Sequence, residues 1–177
     1  MAFTGRESDM ADFDRAFANG MEAEGGYQLT NHKTDTGGQT YAGISRKWHP
    51  NWAGWAAVDA GKIPQTSLVR DFYREEFWEK LQGDRIENQA VAESIYNFAI
   101  NADWKVAAKL VQVLVGVAPD GQLGPVSIAA LNGFPDAVFH TQFALAKLAR
   151  YATICNNNRA QTANLLGWVN RTLKELP

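Results

Sequence analysis

Few side chains in this sequence can make or break bonds, and most of them are carboxylates. The three histidines, His32, His49 and His140, form no HExxH motif and no i, i+4 pair, and Cys155 is the single cysteine. The spacing of a protein-built zinc site is therefore missing. There is no GxSxG elbow, no GxxxxGKS/T loop and no GxGxxG run. Cys155 has no partner nominated by the pattern and reads as a small, buried helix side chain. What is left is acid–base chemistry on carboxylates, which is what hydrolysis of a glycosidic bond needs. A neutral acid protonates the leaving oxygen, and a second acid or a positioned water meets the cationic transition state.

Glu24 has the address of such an acid. Met10, Phe13, Phe17, Met21 and Glu24 recur at steps of three and four, one stripe of a helix that opens near the cap candidate Asp9. Gly25 and Gly26 end that helix and let another chain approach the backbone closely. Partial burial and the negative end of the helix dipole both disfavour an ionised carboxylate there. The alternative, open at this point, is a last-turn glutamate facing water.

The elements that must carry these groups are mostly helical. Periodicity predicts helices over 66–81 (Leu68, Phe72, Phe77 and Leu81 inward), 88–101, 103–115, a short one from Pro125 to Gly133, one from Pro135 to about Cys155, and a last one over 159–173. Residues 26–45 are rich in glycine and threonine, with Gly37-Gly38 as a turn, and read as a hairpin or ordered loop. Trp48, Trp52 and Trp55 cluster around Pro50, and at least two of the three are expected to pack rather than form a sugar platform. The fold class is mainly α with a small β excursion near residues 26–45.

Two runs carry a resemblance. Glu24-Gly25-Gly26-Tyr27 followed by Asp35-Thr36-Gly37-Gly38-Gln39-Thr40-Tyr41-Ala42-Gly43-Ile44-Ser45 resembles the signature of glycoside hydrolase family 108, the peptidoglycan N-acetylmuramidases of phage endolysins and bacterial secretion-accessory loci. Tyr73-Arg-Glu-Glu-Phe77-Trp78 and the segment from Ala92 to Asn101 resemble the family's following helices. Leu110 to Gln112, Asp120 to Pro125, Arg150-Tyr151 and Gly167 to Arg171 resemble its C-terminal region, described as a predicted peptidoglycan-binding part. The resemblance implies a compact, lysozyme-like helical fold, with catalysis in residues 1–90 and wall binding in 91–177, packed as one unit. It also implies cleavage of the β-1,4 bond between N-acetylmuramic acid and N-acetylglucosamine, with Glu24 as general acid. By analogy with phage-type lysozymes of another family, Asp35 and Thr40, eleven and sixteen positions on, hold a water on the far face of the sugar. An Asx-turn that shapes the loop is the other reading of Asp35.

Tyr27, Tyr41 and Tyr73 are candidates to stack on or hydrogen-bond to a sugar, or to pack as core tyrosines. Asn97 and Asn101 lie one helical turn apart on an apolar helix, so they bind polar groups of a substrate or tie that helix to the active-site loop. The chain departs from the family's pattern here. It has Asn97 where an acid is frequent, and Ala102-Asp103 where a glycine is frequent. The rival readings are a lytic transglycosylase, which ends in an anhydro ring, and a non-catalytic wall-binding or secretion adaptor. A zinc amidase or endopeptidase of the wall is disfavoured by the missing ligands.

Composition narrows the partners. The net charge is −2, with 10 Lys+Arg against 14 Asp+Glu in residues 1–90 and 7 against 5 in residues 91–177. That balance does not suit nucleic acid, and the mildly basic C-terminal half suits an anionic, peptide-bearing glycan. No apolar run approaches a membrane span, and residues 1–13 lack a signal-peptide core. The expectation is a monomer made in the cytoplasm, needing no metal or organic cofactor, that reaches peptidoglycan through release or delivery by other proteins.

Overall fold

The computed structural model describes residues 10–23, 26–31 and 38–176. It is mainly α, as the lysozyme-like expectation required. Among these residues eight α-helices and one three-stranded antiparallel sheet divide into two compact units, one of residues 12–79 and the other of residues 80–176 with residues 10 and 11. Among the described residues no helix is long and apolar enough to cross a membrane.

The first unit is built around aromatic side chains. Helix α1 (Phe13–Ala23) stacks Phe13 on Phe17 and sets them against Trp78 and Tyr73. Strands β1 (Leu29–Asn31), β2 (Gln39–Tyr41) and β3 (Ile44–Ser45) follow, then the short α2 (Trp55–Asp59) and α3 (Thr66–Tyr73). The predicted helix over 66–81 changes character halfway, because residues 74–78 form a π-helical turn closed by the Glu79 N–H on the Arg74 carbonyl (2.9 Å). The reason is in the spacing. Phe72 and Phe77 are five apart, and a five-residue step stays on one face only if the helix widens by a residue. Both rings then pack on Tyr73.

The β2–β3 turn is held from a distance. Ala42 and Gly43 both have positive φ (48° and 78°), the backbone of a two-residue hairpin turn. Ala42 tolerates this because the Tyr73 hydroxyl donates to its carbonyl at 2.9 Å. A Cβ on Gly43 would lie 2.4 Å from that same hydroxyl. Tyr73 is buried among Phe17, Phe72 and Phe77 and has no room to yield. Gly43→Ala is therefore expected to cost about 2–4 kcal/mol, the positive-φ penalty plus a lost buried hydrogen bond. Gly61 also has positive φ (67°) but open space around it, so Gly61→Ala should cost only the first part. Thermal unfolding of both variants checks the difference.

The second unit is helical throughout. Helix α4 (Gln89–Ala102) is capped by the Asn88 side chain on the Val91 N–H and packs against α5 (Trp104–Leu114) and α7 (Asp136–Asn157). Pro125 opens α6 (Pro125–Asn132) at its first turn, as predicted. Helix α8 (Thr162–Lys174) follows a single 3-10 turn and packs back on α7. Cys155 is buried on α7, as read from the sequence. The loop before α6 is organised by Gln112, which is 1% exposed. Its amide donates to the Asp120 carboxylate (2.7 Å) and the Gln122 carbonyl (2.9 Å), and its oxygen accepts from the Gly121 N–H (2.8 Å).

The Gln112 amide, and behind it the Gln122 N–H, hold the Asp120 carboxyl below its ordinary value of 3.8. A carboxylate whose folded value is depressed contributes stability that is complete above the unfolded value and disappears as pH falls through the folded one. The Gly121 amide should therefore keep its hydrogen-exchange protection down to about pH 3.8 and lose it progressively below. Exchange measured by NMR between pH 2 and 6 checks this.

Candidate active site

The end of α1 is a tight turn. The Gly26 N–H reaches back to the Met21 carbonyl (3.0 Å), with Gly26 itself at φ 76°. Glu24 and Asp35, the two proposed catalytic carboxylates, lie outside the described residues. What the structure describes is the turn at Gly26, the sheet that follows, and the aromatic side chains that pack on that sheet.

Thr40 sits in the middle of β2, opposite Thr30 of β1 and Ser45 of β3. The three hydroxyl-bearing residues share one face of the sheet, and each is partly exposed. Sequence reasoning singled out Thr40 and missed its two neighbours, because cross-strand neighbours are set by register, which for Ser45 depends on the unpredicted Ala42-Gly43 turn. Arg46 braces this sheet with a bidentate pair to Asp59 of α2 (2.6 and 2.7 Å) and a hydrogen bond to Gln39 (2.8 Å).

Tyr41 faces the other way. It is 4% exposed and stacks on Trp52, with ring centroids 5.9 Å apart. Its hydroxyl is buried with no hydrogen-bond partner among the described residues. Burial, and after it the nearby Tyr27 hydroxyl, hold the phenol above its ordinary value of 10.0, so it stays a neutral donor. Leaving such a group unsatisfied costs about 1–3 kcal/mol. Tyr27, by contrast, is 42% exposed. Tyr73 is close in space to the same strands, but its hydroxyl is engaged by the Ala42 carbonyl.

Trp52 links Tyr41 to a groove that sequence reasoning did not locate. This open groove, of about 540 Å³, is lined by Trp48, Trp52 and Phe72 together with the carboxylates of Asp71, Glu75 and Glu76. Two of the three clustered tryptophans pack, as expected. Trp55 is 3% exposed and donates to the His49 carbonyl, and Trp52 donates to the Leu68 carbonyl. Trp48 is 68% exposed. Gly54 leaves the space that the Trp52 ring fills. Flat apolar faces beside hydroxyl-accepting carboxylates suit a pyranose. The signal that could have found the groove was the Glu75-Glu76 pair inside the aromatic run at 73–78.

Asn97 and Asn101 belong to the second unit. The Asn101 amide donates to the Asn97 carbonyl (2.9 Å) and accepts from the Arg171 guanidinium of α8. Asn101 thus ties α4 to α8 through Arg171. No cluster of three His, Cys, Asp or Glu among the described residues is placed to hold a metal ion.

Comparison with known proteins gives two family matches. Residues 17–102 match the model described as Glycosyl hydrolase 108, and residues 106–173 match the one described as Predicted Peptidoglycan domain. No curated protein matches the chain. Among solved structures, SagA of Brucella abortus is similar over 92% of this chain and 94% of that one, with a TM-score of 0.65 and 26% identity.

Proposed function

Because the chain belongs to the glycosyl hydrolase 108 family, with a predicted peptidoglycan domain behind the hydrolase region, we propose that it is an N-acetylmuramidase. It cleaves the β-1,4 bond between N-acetylmuramic acid and N-acetylglucosamine. The single observation that carries this reading is the occurrence of both regions in one chain, a glycoside hydrolase followed by a wall-recognition region. Glu24 gives its proton to the leaving oxygen as the C1–O bond breaks. Water adds to C1, and its proton passes to Asp35, with Thr40 helping to place it. The hydroxyl row of Thr30, Thr40 and Ser45 supports a polar wall for that water. The residues 1–90 supply the chemistry and the C-terminal helices hold the wall.

The unpartnered Tyr41 hydroxyl fits a group that finds its partner when substrate arrives. This separates Tyr41→Phe from an ordinary core substitution. Removing an oxygen with no partner should leave the melting temperature unchanged or slightly higher. Clearing of sacculus suspensions should nevertheless slow about tenfold, the value of one hydrogen bond made only in the complex. An unchanged rate would return Tyr41 to the core.

The test of the reaction itself is mass spectrometry of soluble fragments from purified sacculi. Fragments ending in reducing N-acetylmuramic acid are the expected product. Anhydro ends would make the enzyme a lytic transglycosylase. Binding to sacculi without any fragments would make it an adaptor.

A further inference from the structure

The α7–α8 pair of the helical unit carries more positive charge than its own packing uses. From Ala137 to Lys174 the chain has no Asp or Glu, against five cations: Lys147, Arg150, Arg159, Arg171 and Lys174. Lys147 is buried and engaged by Glu175, just beyond α8. Arg171 and Lys174 stand in the last turn of α8, where the helix dipole favours cations. Arg150 stands well inside α7, where no dipole end acts, and its side chain is half-buried. Neither Arg150 nor Arg171 has an ion pair among the described residues.

The two arginines meet at an aromatic pair that joins the helices. The rings of Tyr151 on α7 and Trp168 on α8 lie with centroids 5.1 Å apart, Tyr151 buried and Trp168 partly exposed. The Tyr151 hydroxyl meets the Thr172 hydroxyl, which itself donates to the Trp168 carbonyl (3.1 Å). Burial raises the phenol above its ordinary value of 10.0. The Thr172 hydrogen bond opposes it, and the charges of Glu175, Arg171 and Arg150 all reach the same oxygen. Two guanidiniums, one from each helix, therefore flank one hydroxyl. The Glu175 carboxylate nearby is already held by Lys147 and Ser94. Arg171 is steadied by the Asn101 side-chain oxygen of α4, a neutral acceptor that occupies one of five N–H donors and leaves the charge uncancelled. Like charges facing each other across a helix seam repel, and an anion bound by both turns that repulsion into attraction.

We propose that Arg150 and Arg171 bind a carboxylate of the peptide stem of peptidoglycan, with Trp168 packing on the apolar atoms beside it. A guanidinium takes a carboxylate through two parallel N–H···O bonds, a geometry that an ammonium cannot reproduce. In the intact wall the lactyl carboxyl of the sugar is already an amide, so the free carboxylates are those of the stem. The choice of the stem as the source of the anion rests on the wall-hydrolase reading.

The test is isothermal titration of the full chain with N-acetylmuramyl pentapeptide, as the free acid and with every carboxylate amidated. This ligand has no glycosidic bond between sugars to cut, so binding is read without turnover. The free acid should bind about tenfold more tightly than the amide, the value of one charge-assisted hydrogen-bonded pair. Arg150→Gln should remove that preference and leave the melting temperature unchanged, because Arg150 has no ion pair to lose. Arg150→Lys should recover part of the preference, since the charge stays while the paired geometry goes. Equal binding of acid and amide overturns the proposal, and so does a preference that survives Arg150→Gln/Arg171→Gln. A polyglycerol phosphate that binds more tightly than the muramyl peptide and displaces it overturns the proposal too, by assigning the seam to wall phosphates. Wild-type turnover of glycan strands stripped of their peptides reports the muramidase reading separately. If those strands survive while the free acid still binds, the muramidase reading fails and the carboxylate site stands.

Discussion

Glu24→Gln is expected to stop release of soluble glycan fragments, with a loss of about 10³-fold or more in rate, while the protein remains folded and still sediments with sacculi. Glutamine keeps the size and the polar end of the side chain but has no proton to give. A general acid contributes typically 10²–10⁴-fold, and a glycosidic leaving group is poor enough to need most of that. Stability should hold or rise slightly. The residue follows directly on the C-terminus of α1 (Phe13–Ala23), where the helix dipole disfavours a carboxylate by about 0.3–1 kcal/mol. Glu24→Asp refines the argument, because it keeps the proton and moves it by about one ångström. A displacement of that size in a reacting group costs on the order of 10²-fold. The expected order is therefore wild type, then Asp, then Gln, read from the initial rate of sacculus clearing at matched protein concentration. A Gln variant within tenfold of wild type would place the acid elsewhere in the chain.

How much of this was legible depended on whether the signal was local. Pro125 announced the start of α6, and the five-residue step from Phe72 to Phe77 carries the π turn in plain sight once it is counted. Helix α2 was missed because a tryptophan cluster around Pro50 reads as packing rather than as five helical residues. The third strand was missed for a different reason. The Ala42-Gly43 turn lacks the Asn-Gly or Asp-Gly signature, and what lets alanine adopt positive φ is a hydroxyl 31 residues away on Tyr73. Glu24, Asp35 and Thr40 were readable as a motif, whereas spacing alone left Glu24 open between an acid and an exposed glutamate. The orphan hydroxyl of Tyr41 could not be read at all, since an absent partner is a property of the folded surroundings.

A large stability effect is expected at a buried ion pair that closes the second unit. Lys147 on α7 is 2% exposed, and its ammonium meets the carboxylate of Glu175 just beyond α8 and the Ser94 hydroxyl of α4 at 3.3 Å. Ser94 donates in turn to the same carboxylate (2.8 Å), so three helices share one polar knot. The rings of Phe143 and Phe98 lie 4.6 and 5.4 Å from the ammonium. The partners are not equivalent, because the Glu175 side chain keeps 22% of its exposure. Glu175→Gln strands a cation in an apolar site and should cost about 3 kcal/mol, a fall of roughly 6–12 °C in melting temperature for a chain of this size. Lys147→Met leaves a carboxylate that can still reach water and should cost under about 1 kcal/mol. The double variant should sit near Lys147→Met rather than at the sum, which is the signature of a coupled pair. The pH dependence follows the same asymmetry. Burial lowers the Lys147 value below 10.5, while Glu175 pulls it back up. Between the lowered value and 10.5 the unfolded chain holds the proton and the folded chain does not, so stability rises with pH across that window. Without Glu175 the lowering deepens and the window opens at a lower pH. The Glu175→Gln deficit should therefore be largest near neutrality and shrink as the pH is raised toward 10.5, whereas a deficit that ignored pH would mean that packing, rather than charge, holds this corner of the fold.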